Sequence, residues 1–322
     1  MIRSSAARRP ARLAATAALA ALGLAATLFA APSRANSFEV CDRPKDPSAD
    51  ERDVMLRFAD LVRTELGDSG HDVALIARSG LDLHRMDVRF SHEGVALKDN
   101  AGSPWSVREL YYSCDDHQPH VFDEGMAGFL MGTDDPVNSS VSLVLLPPSE
   151  ADALRRAAID KRQALSVLGT TYSANAYAFS TRFQNCNQWV MELLASAWRT
   201  PDDDEPDTPA PGSARERSQR WLQQQGYRPT VFQVSPHPVM WIANLVPWLS
   251  NADHPDAELS ANRYNVSMPT SVETFVRAKV PGARRVEMCH AGRRVVIHRG
   301  WDAIAEGCVA GPGDQVIELG RD

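Results

Sequence analysis

The stretch RFQNCNQWVMELLASAW, residues 182–198, constrains this chain more than any other segment. From Cys186 the apolar side chains fall at positions 186, 189, 190, 193, 194 and 197, the spacing of one helix face, with Asn187, Gln188, Glu192 and Ser196 off that face. A helix is expected to begin there, because Asn185 is a favourable N-cap type and the residues just before it lack the helical pattern. Cys186 would then occupy the first turn. Unpaired backbone N–H groups and the positive end of the helix dipole favour an anion at that position, so a thiol there ionises more readily. The same amides could help hold an oxyanion. The competing reading of a lone cysteine is a small buried hydrophobe.

The other cysteines sharpen the question. There are five, at 41, 114, 186, 289 and 308. An odd number leaves at least one thiol over in an oxidising compartment. Cys289 and Cys308 bracket a stretch that reads as strand, turn and short helix, so a local disulfide is expected between them. Cys41 and Cys114 are then the candidates for a second bridge, although four cysteines allow three pairings. Cys186 is the residue left without a partner.

Export is expected from the N-terminus. MIRSSAARRPAR carries four arginines and no acid, and an uncharged alanine-rich run from Leu13 to Ala31 leads to the small-residue tripeptide Ser33-Arg34-Ala35. This is the grammar of a cleaved signal peptide over residues 1–35. An uncleaved anchor is the alternative, for which the run is only weakly hydrophobic. No later stretch is long and apolar enough to span a bilayer. Losing the leader's five arginines and no acid takes the formal charge of −7 to −12, which argues against nucleic acid as a partner.

A nucleophilic cysteine needs a base. His92 opens the alternating, glycine-bearing segment HEGVAL, which reads as a strand between two others, HDVALIAR and WSVRELYYSC. Three strands with short connections suggest an antiparallel sheet with His92 at the rim of its central member. The acidic and histidine-rich turn CDDHQPH places Asp115, Asp116, His117 and His120 together, but it lacks a fixed element and reads as solvated rather than as a metal site. His290 and His298 alternate with hydrophobes and read as surface strand positions.

SHEGVAL, followed about ninety residues later by YSANAYAFSTRFQNCNQWVMELL, resembles the permuted papain-like thiol hydrolases, the superfamily that includes NlpC-type peptidases and lecithin:retinol acyltransferase-like proteins. In its permuted members an (S/T)H-x-G strand precedes an N-C-x-x-(F/W) helix. More closely, most of the chain resembles the bacterial family known as domain of unknown function 2145, including RYNVSMPTSVETF and RGWDAIAEGC. What the superfamily implies is a Cys-His dyad, Cys186 and His92, with a third polar residue on the strand after the histidine. Glu109 is the preferred orienting residue; Arg108 and Ser106 share its strand, and a solvated strand carboxylate is the alternative for Glu109. Gln184 and Asn185 are candidate oxyanion donors, with helix capping the simpler role for Asn185. Tyr172 is a candidate pocket residue or a packing residue.

The remaining sequence sets the organisation. SSVSLVLLPP reads as a buried strand, and SEADALRRAAIDKRQALSVLG as a helix opened by a capping box from Ser149 to Asp152. RTPDDDEPDTPAPGSARE is proline- and acid-rich, an exposed linker. Beyond it, RSQRWLQQQGY, TVFQV and SVETFVRAKV alternate helix and strand, and RRVEMC and RRVVIHR form a hairpin about HAG. VMWIANLVPWLS, residues 239–250, is the most apolar stretch, either an acyl-contacting element or a buried helix broken at Pro247.

The expected protein is thus α+β: a signal peptide over 1–35, a permuted papain-like cysteine-hydrolase core over 36–199 with its antiparallel sheet packed on the nucleophile helix, a linker over 200–215, and a C-terminal α/β extension over 216–322. Its expected activity is thiol acyl chemistry in the periplasm or outside the cell, on an envelope peptide, peptidoglycan or lipid. No cofactor or metal is expected. A non-catalytic envelope binding module with a structural cysteine is the alternative.

Overall fold

Ser48 opens the first helix with a reciprocal cap: its hydroxyl accepts from the Glu51 amide, and the Glu51 carboxylate accepts from the Ser48 amide. The computed structural model describes residues 47–320 apart from 82, 201–202, 204–211, 235–245 and 247. All of these belong to one compact unit, Glu39–Asp322. The expected signal peptide, Cys41, Trp241 and Pro247 lie outside the described residues.

The elements in chain order are α1 (Ala49–Asp68), β1 (Val73–Arg78), β2 (His92–Leu97), β3 (Ser106–Tyr112), β4 (Pro119–Glu124), α2 (Met126–Met131), β5 (Asn138–Leu145), α3 (Pro148–Ile159), α4 (Lys161–Ser166), α5 (Cys186–Trp198), α6 (Ala214–Gln224), β6 (Thr230–Gln233), α7 (Asp256–Ser260), β7 (Arg263–Val266), α8 (Pro269–Lys279), β8 (Arg284–Ala291), β9 (Arg294–Arg299) and β10 (Gln315–Glu318). The fold is mixed α+β. Eight strands form one sheet in the order β10-β9-β8-β5-β1-β2-β3-β4, every pairing antiparallel. β6 and β7 form a separate two-stranded sheet.

Both faces of the large sheet are covered, so β1, β2 and β3 are buried along their whole length. Strand alternation sends Val73, Leu75, Val95, Leu97 and Leu110 to a core shared with α3, α5, α6 and α8. Ala74, Ile76, Ala96, Val107 and Leu143 face α1 and α2 on the other side. Two covered faces explain why β1, VALIAR, reads as a near-continuous apolar run.

α5 starts and ends where its spacing predicts, but it is not amphipathic in the expected sense. Asn187, Gln188 and Glu192, assigned to the polar side, are 1%, 1% and 0% exposed. α6 and the 168–185 loop cover that side. Glu192 accepts from Arg215 Nε at 2.7 Å, Gln219 Nε2 at 2.7 Å and Gln184 Nε2 at 2.6 Å. Arg215 also donates to the carbonyls of Thr181 at 2.7 Å and Phe183 at 2.9 Å. A buried carboxylate thus ties the loop leading into Cys186 to two helices. Burial raises the Glu192 pKa despite the Arg215 guanidinium.

Several expectations are corrected. The capping box at Ser149–Asp152 is absent: α3 starts at Pro148, where proline's fixed φ suits a first helical residue, and Pro147 makes no side-chain cap. The helical run breaks at Asp160, whose carboxylate accepts from the Arg162 and Gln163 amides and caps α4. No short helix forms between Trp301 and Cys308; the segment is turns closed by an Ala305–Val309 bridge. His290 is buried, 1% exposed, with its ring 4.8 Å from Phe58. The Cys289–Cys308 disulfide is present. Cys114 is disulfide-bonded, while Cys41, the partner expected for it, lies outside the described residues. β8 pairs with β5 over eight residues, so the C-terminal strands extend the same sheet. The expected linker lies largely outside the described residues, and α6 begins within its end, capped by Ser213. Among the described residues no helix is long and apolar enough to cross a membrane.

Candidate functional site

Cys186 is the first helical residue of α5 and is free of disulfides. Asn185 is the N-cap: its Oδ1 accepts from the Gln188 amide at 2.7 Å, and its Nδ2 donates to the carbonyls of Ala174 at 3.1 Å and Ser267 at 3.2 Å. The thiol is 5% exposed and lies 3.5 Å from Asn187 Oδ1, to which it donates. Asn187 Nδ2 donates to the carbonyls of Ser91 at 3.2 Å and Ser267 at 3.1 Å. The start of α5 is therefore fastened to the residue that precedes β2.

His92 is the first residue of β2 and is 7% exposed. Its Nε2 is 2.6 Å from Glu109 Oε2. Glu109 is fully buried, so the solvated alternative does not describe it. Gly94 explains how the pair forms. A Cβ at that position would come within 2.6 Å of Val107 Cγ1, 2.9 Å of the Arg108 carbonyl and 3.2 Å of Glu109 Cβ. Only glycine leaves β3 close enough for Glu109 to reach across to the imidazole.

The imidazole is enclosed. It stacks on Tyr111 with centroids 4.6 Å apart and tilts against Phe129 at 5.9 Å. Arg78 stands opposite it in the β1–β2 register and donates to Gly132 O and the Tyr111 hydroxyl. Burial, and then the Arg78 guanidinium, hold the His92 pKa well below the ordinary histidine range. The neutral ring donates from Nε2–H to the carboxylate, leaving Nδ1 as its accepting nitrogen.

His92 and Glu109 project from the sheet face covered by α1 and α2, whereas α5 packs on the opposite face. Thiol and imidazole line one cavity at the end of the sheet. Its volume is about 350 Å³, and it is lined by Cys186, His92, Arg78, Ser91, Tyr172 and Asn187 on one side. A smaller space of about 30 Å³ lies beside His92, Tyr111, Tyr112 and Tyr172. It is large enough for one water molecule.

Of the residues singled out from sequence, the structure brings Cys186, His92 and Tyr172 to the wall of this cavity and sets Glu109 behind His92. It does not bring the side chains of Gln184 and Asn185 there. The Gln184 amide is occupied by Glu192, the Val167 carbonyl at 2.8 Å and the Gly169 amide at 2.7 Å, and Asn185 caps the helix. In place of a side-chain donor, the first-turn backbone amides of α5 are the groups suited to an oxyanion. Arg78, Tyr111 and Asn187 were not singled out from sequence. Strand alternation from Glu109 places Tyr111 on its face, and the Arg that ends the apolar run VALIAR is the corresponding signal for Arg78. Trp248, from the apolar 239–250 stretch, lines both spaces. Asp116 and His120 pair at 2.7 Å in their turn, away from this cavity.

A larger cavity, about 640 Å³, lies elsewhere, beneath the Cys289–Cys308 disulfide. It has no thiol outside a disulfide on its wall, and Arg89 and Arg285 there are paired with Glu287 and Glu273, so the smaller cavity is the candidate site.

No curated protein and no solved structure matches the chain. A family model described as "uncharacterized protein conserved in bacteria (DUF2145)" matches residues 65–276, about two thirds of the sequence. That span contains every residue lining the candidate cavity and excludes the Cys289–Cys308 disulfide. The chain belongs to this DUF2145 family of bacterial proteins.

Proposed function

We propose that this protein is an exported thiol hydrolase or acyl-transferring enzyme with a permuted papain-like core, acting on an ester or amide in the cell envelope. The observation that carries the reading is one cavity wall shared by a helix-N-terminal thiol and a neutral imidazole whose Nε2 is engaged by a buried carboxylate. The Cys289–Cys308 disulfide and the leader-like N-terminus agree with an oxidising compartment.

In the reaction, Cys186 Sγ forms a bond to the acyl carbonyl carbon as its proton passes to His92 Nδ1. The tetrahedral adduct collapses, the C–O or C–N bond breaks, and the leaving group takes that proton from His92. Water, or an acceptor alcohol or amine, then attacks the thioester carbon and gives its proton to His92; the C–S bond breaks, and the departing Cys186 sulfur takes that proton from His92, which restores the thiol. Glu109 fixes the tautomer and stabilises the transient imidazolium, a positioning role.

The test is hydrolysis of a p-nitrophenyl ester with mass detection of acylated Cys186. Cys186→Ser removes turnover, and His92→Ala lowers kcat/KM by about 10²–10⁴-fold. Turnover that survives both substitutions would falsify the reading. One observation favours a binding module with a structural cysteine instead: Cys186 packs within the main hydrophobic core. An inert thiol in a folded, ligand-binding protein would select that alternative.

A further inference from the structure

We infer that the candidate cavity receives the alkyl chain of a fatty-acyl substrate, so that the acyl group presented to Cys186 is that of a lipid ester rather than a peptide or peptidoglycan stem. This rests on the proposed thiol chemistry for its reaction, but not for its binding.

The wall leading away from Cys186 and His92 is apolar. Leu81, Leu83, Phe232, Val234, Val266 and Met268 form it, the last four from or beside the β6–β7 sheet, which has its own small core. Met86, 51% exposed, stands where this wall meets solvent. Among the described residues, Arg78 is the one permanently charged side chain on the wall, and it is bonded to Gly132 O and the Tyr111 hydroxyl.

Ser91, Asn175 and Asn187, polar residues along this cavity, are already engaged by the protein. Ser91 Oγ accepts from the Leu81 amide at 3.0 Å. Asn175 Oδ1 accepts from Ser173 Oγ at 2.7 Å and its Nδ2 donates to Asn251 Oδ1. Asn187 Nδ2 is shared between two carbonyls, as described above. A peptide or glycan entering here would find few replacement partners for its amides, hydroxyls and charges, which is costly. An alkyl chain requires none, and each methylene moved out of water strengthens binding about fourfold. The volume, about 350 Å³, falls in the range of small-ligand sites.

Two measurements on the purified protein test this. The first is kcat/KM for p-nitrophenyl esters of increasing chain length, from acetate to laurate, with and without Val234→Trp, which narrows the apolar end. The second is binding of a dansyl-labelled fatty acid to Cys186→Ser, which reports the cavity without catalysis. The inference expects kcat/KM to rise about fourfold per methylene until the cavity is full, the optimum to move to shorter chains in Val234→Trp, and the probe to bind Cys186→Ser and be displaced by laurate. Probe binding without any ester turnover keeps the acyl site and removes the thiol chemistry. Turnover through Cys186 with no chain-length dependence keeps the chemistry and overturns the acyl site, as does failure of the folded Cys186→Ser protein to bind the probe.

Discussion

Two of the molecule's cavities differ in a way that size alone misjudges. The larger, about 640 Å³, is walled by Asp87, Arg89, Glu273, Arg277 and Arg285. Its charges are largely compensated from within: Arg285 bonds Glu273 at 2.9 Å and Glu287 at 2.7 Å, and Arg89 bonds Glu287 and the Ile304 carbonyl. The smaller, about 350 Å³, is mostly apolar and holds the free thiol and the buried imidazole. Part of the larger one is built by β8 and the disulfide loop, beyond the family match, whereas the smaller lies wholly inside it. The chemistry of a wall, rather than its volume, identifies the site.

That contrast can be broken by exchange. Cys186→Ser abolishes labelling by an acyl electrophile, whereas Arg277→Ala, in the larger cavity, leaves the labelling rate within about twofold; mass spectrometry of the labelled protein reads both. Loss of labelling in Arg277→Ala would move the site. The frames of the two cavities also differ. Arg215→Ala strands the buried Glu192 carboxylate behind the smaller cavity and costs about 3–5 kcal/mol in urea unfolding. Replacing Cys289 and Cys308 together by alanine opens a loop of sequence separation 19 beside the larger cavity and costs about 3 kcal/mol, without slowing Cys186 labelling.

Smaller effects test the imidazole's setting. Gly94→Ala drives β3 away from β2, so the His92–Glu109 bond loosens and ester turnover falls by about tenfold or more, with a stability loss of about 1–3 kcal/mol. A turnover equal to that of the parent protein would show that Glu109 has no positioning role. Because His92 is held below the ordinary histidine range, the acid limb of kcat/KM should lie below pH ~6.5. Its neighbour behaves oppositely. Glu93 points to the α5 face, and burial, then the nearby Glu273 carboxylate, raise its pKa well above 4.5. Between 4.5 and that raised value the folded protein holds a proton that the unfolded chain releases, so stability falls as pH rises through this window. Glu93→Gln removes that slope, which denaturant unfolding at several pH values would detect.

The parts of this architecture legible in the sequence are the ones fixed by local rules. The period of α5, its Asn185 cap and the strand that begins at His92 follow from spacing and capping chemistry. Glu109 follows from the resemblance, which implies a polar residue on the strand after the histidine, and it is buried because both sheet faces are covered, which no single strand announces. Misreadings came from long-range packing. Glu192, Asn187 and Gln188 look like a solvent face until α6 and the 168–185 loop are laid over them, and Gln184 looks like an oxyanion donor until Glu192 claims it. His290 looked exposed for the same reason, since Phe58 arrives from more than two hundred residues away. The Pro147–Pro148 start overrode a weak capping-box pattern because proline's fixed φ already favours a first helical turn.

The account turns on His92 acting on Cys186 within one cavity. The most direct measurement is the pH dependence of Cys186 alkylation by iodoacetamide in the wild-type protein and in His92→Ala. The account predicts fast alkylation at neutral pH in the wild type, and in the variant a profile displaced upward toward the range of an ordinary thiol, near 8.5. Two superimposable profiles in equally folded proteins would contradict it.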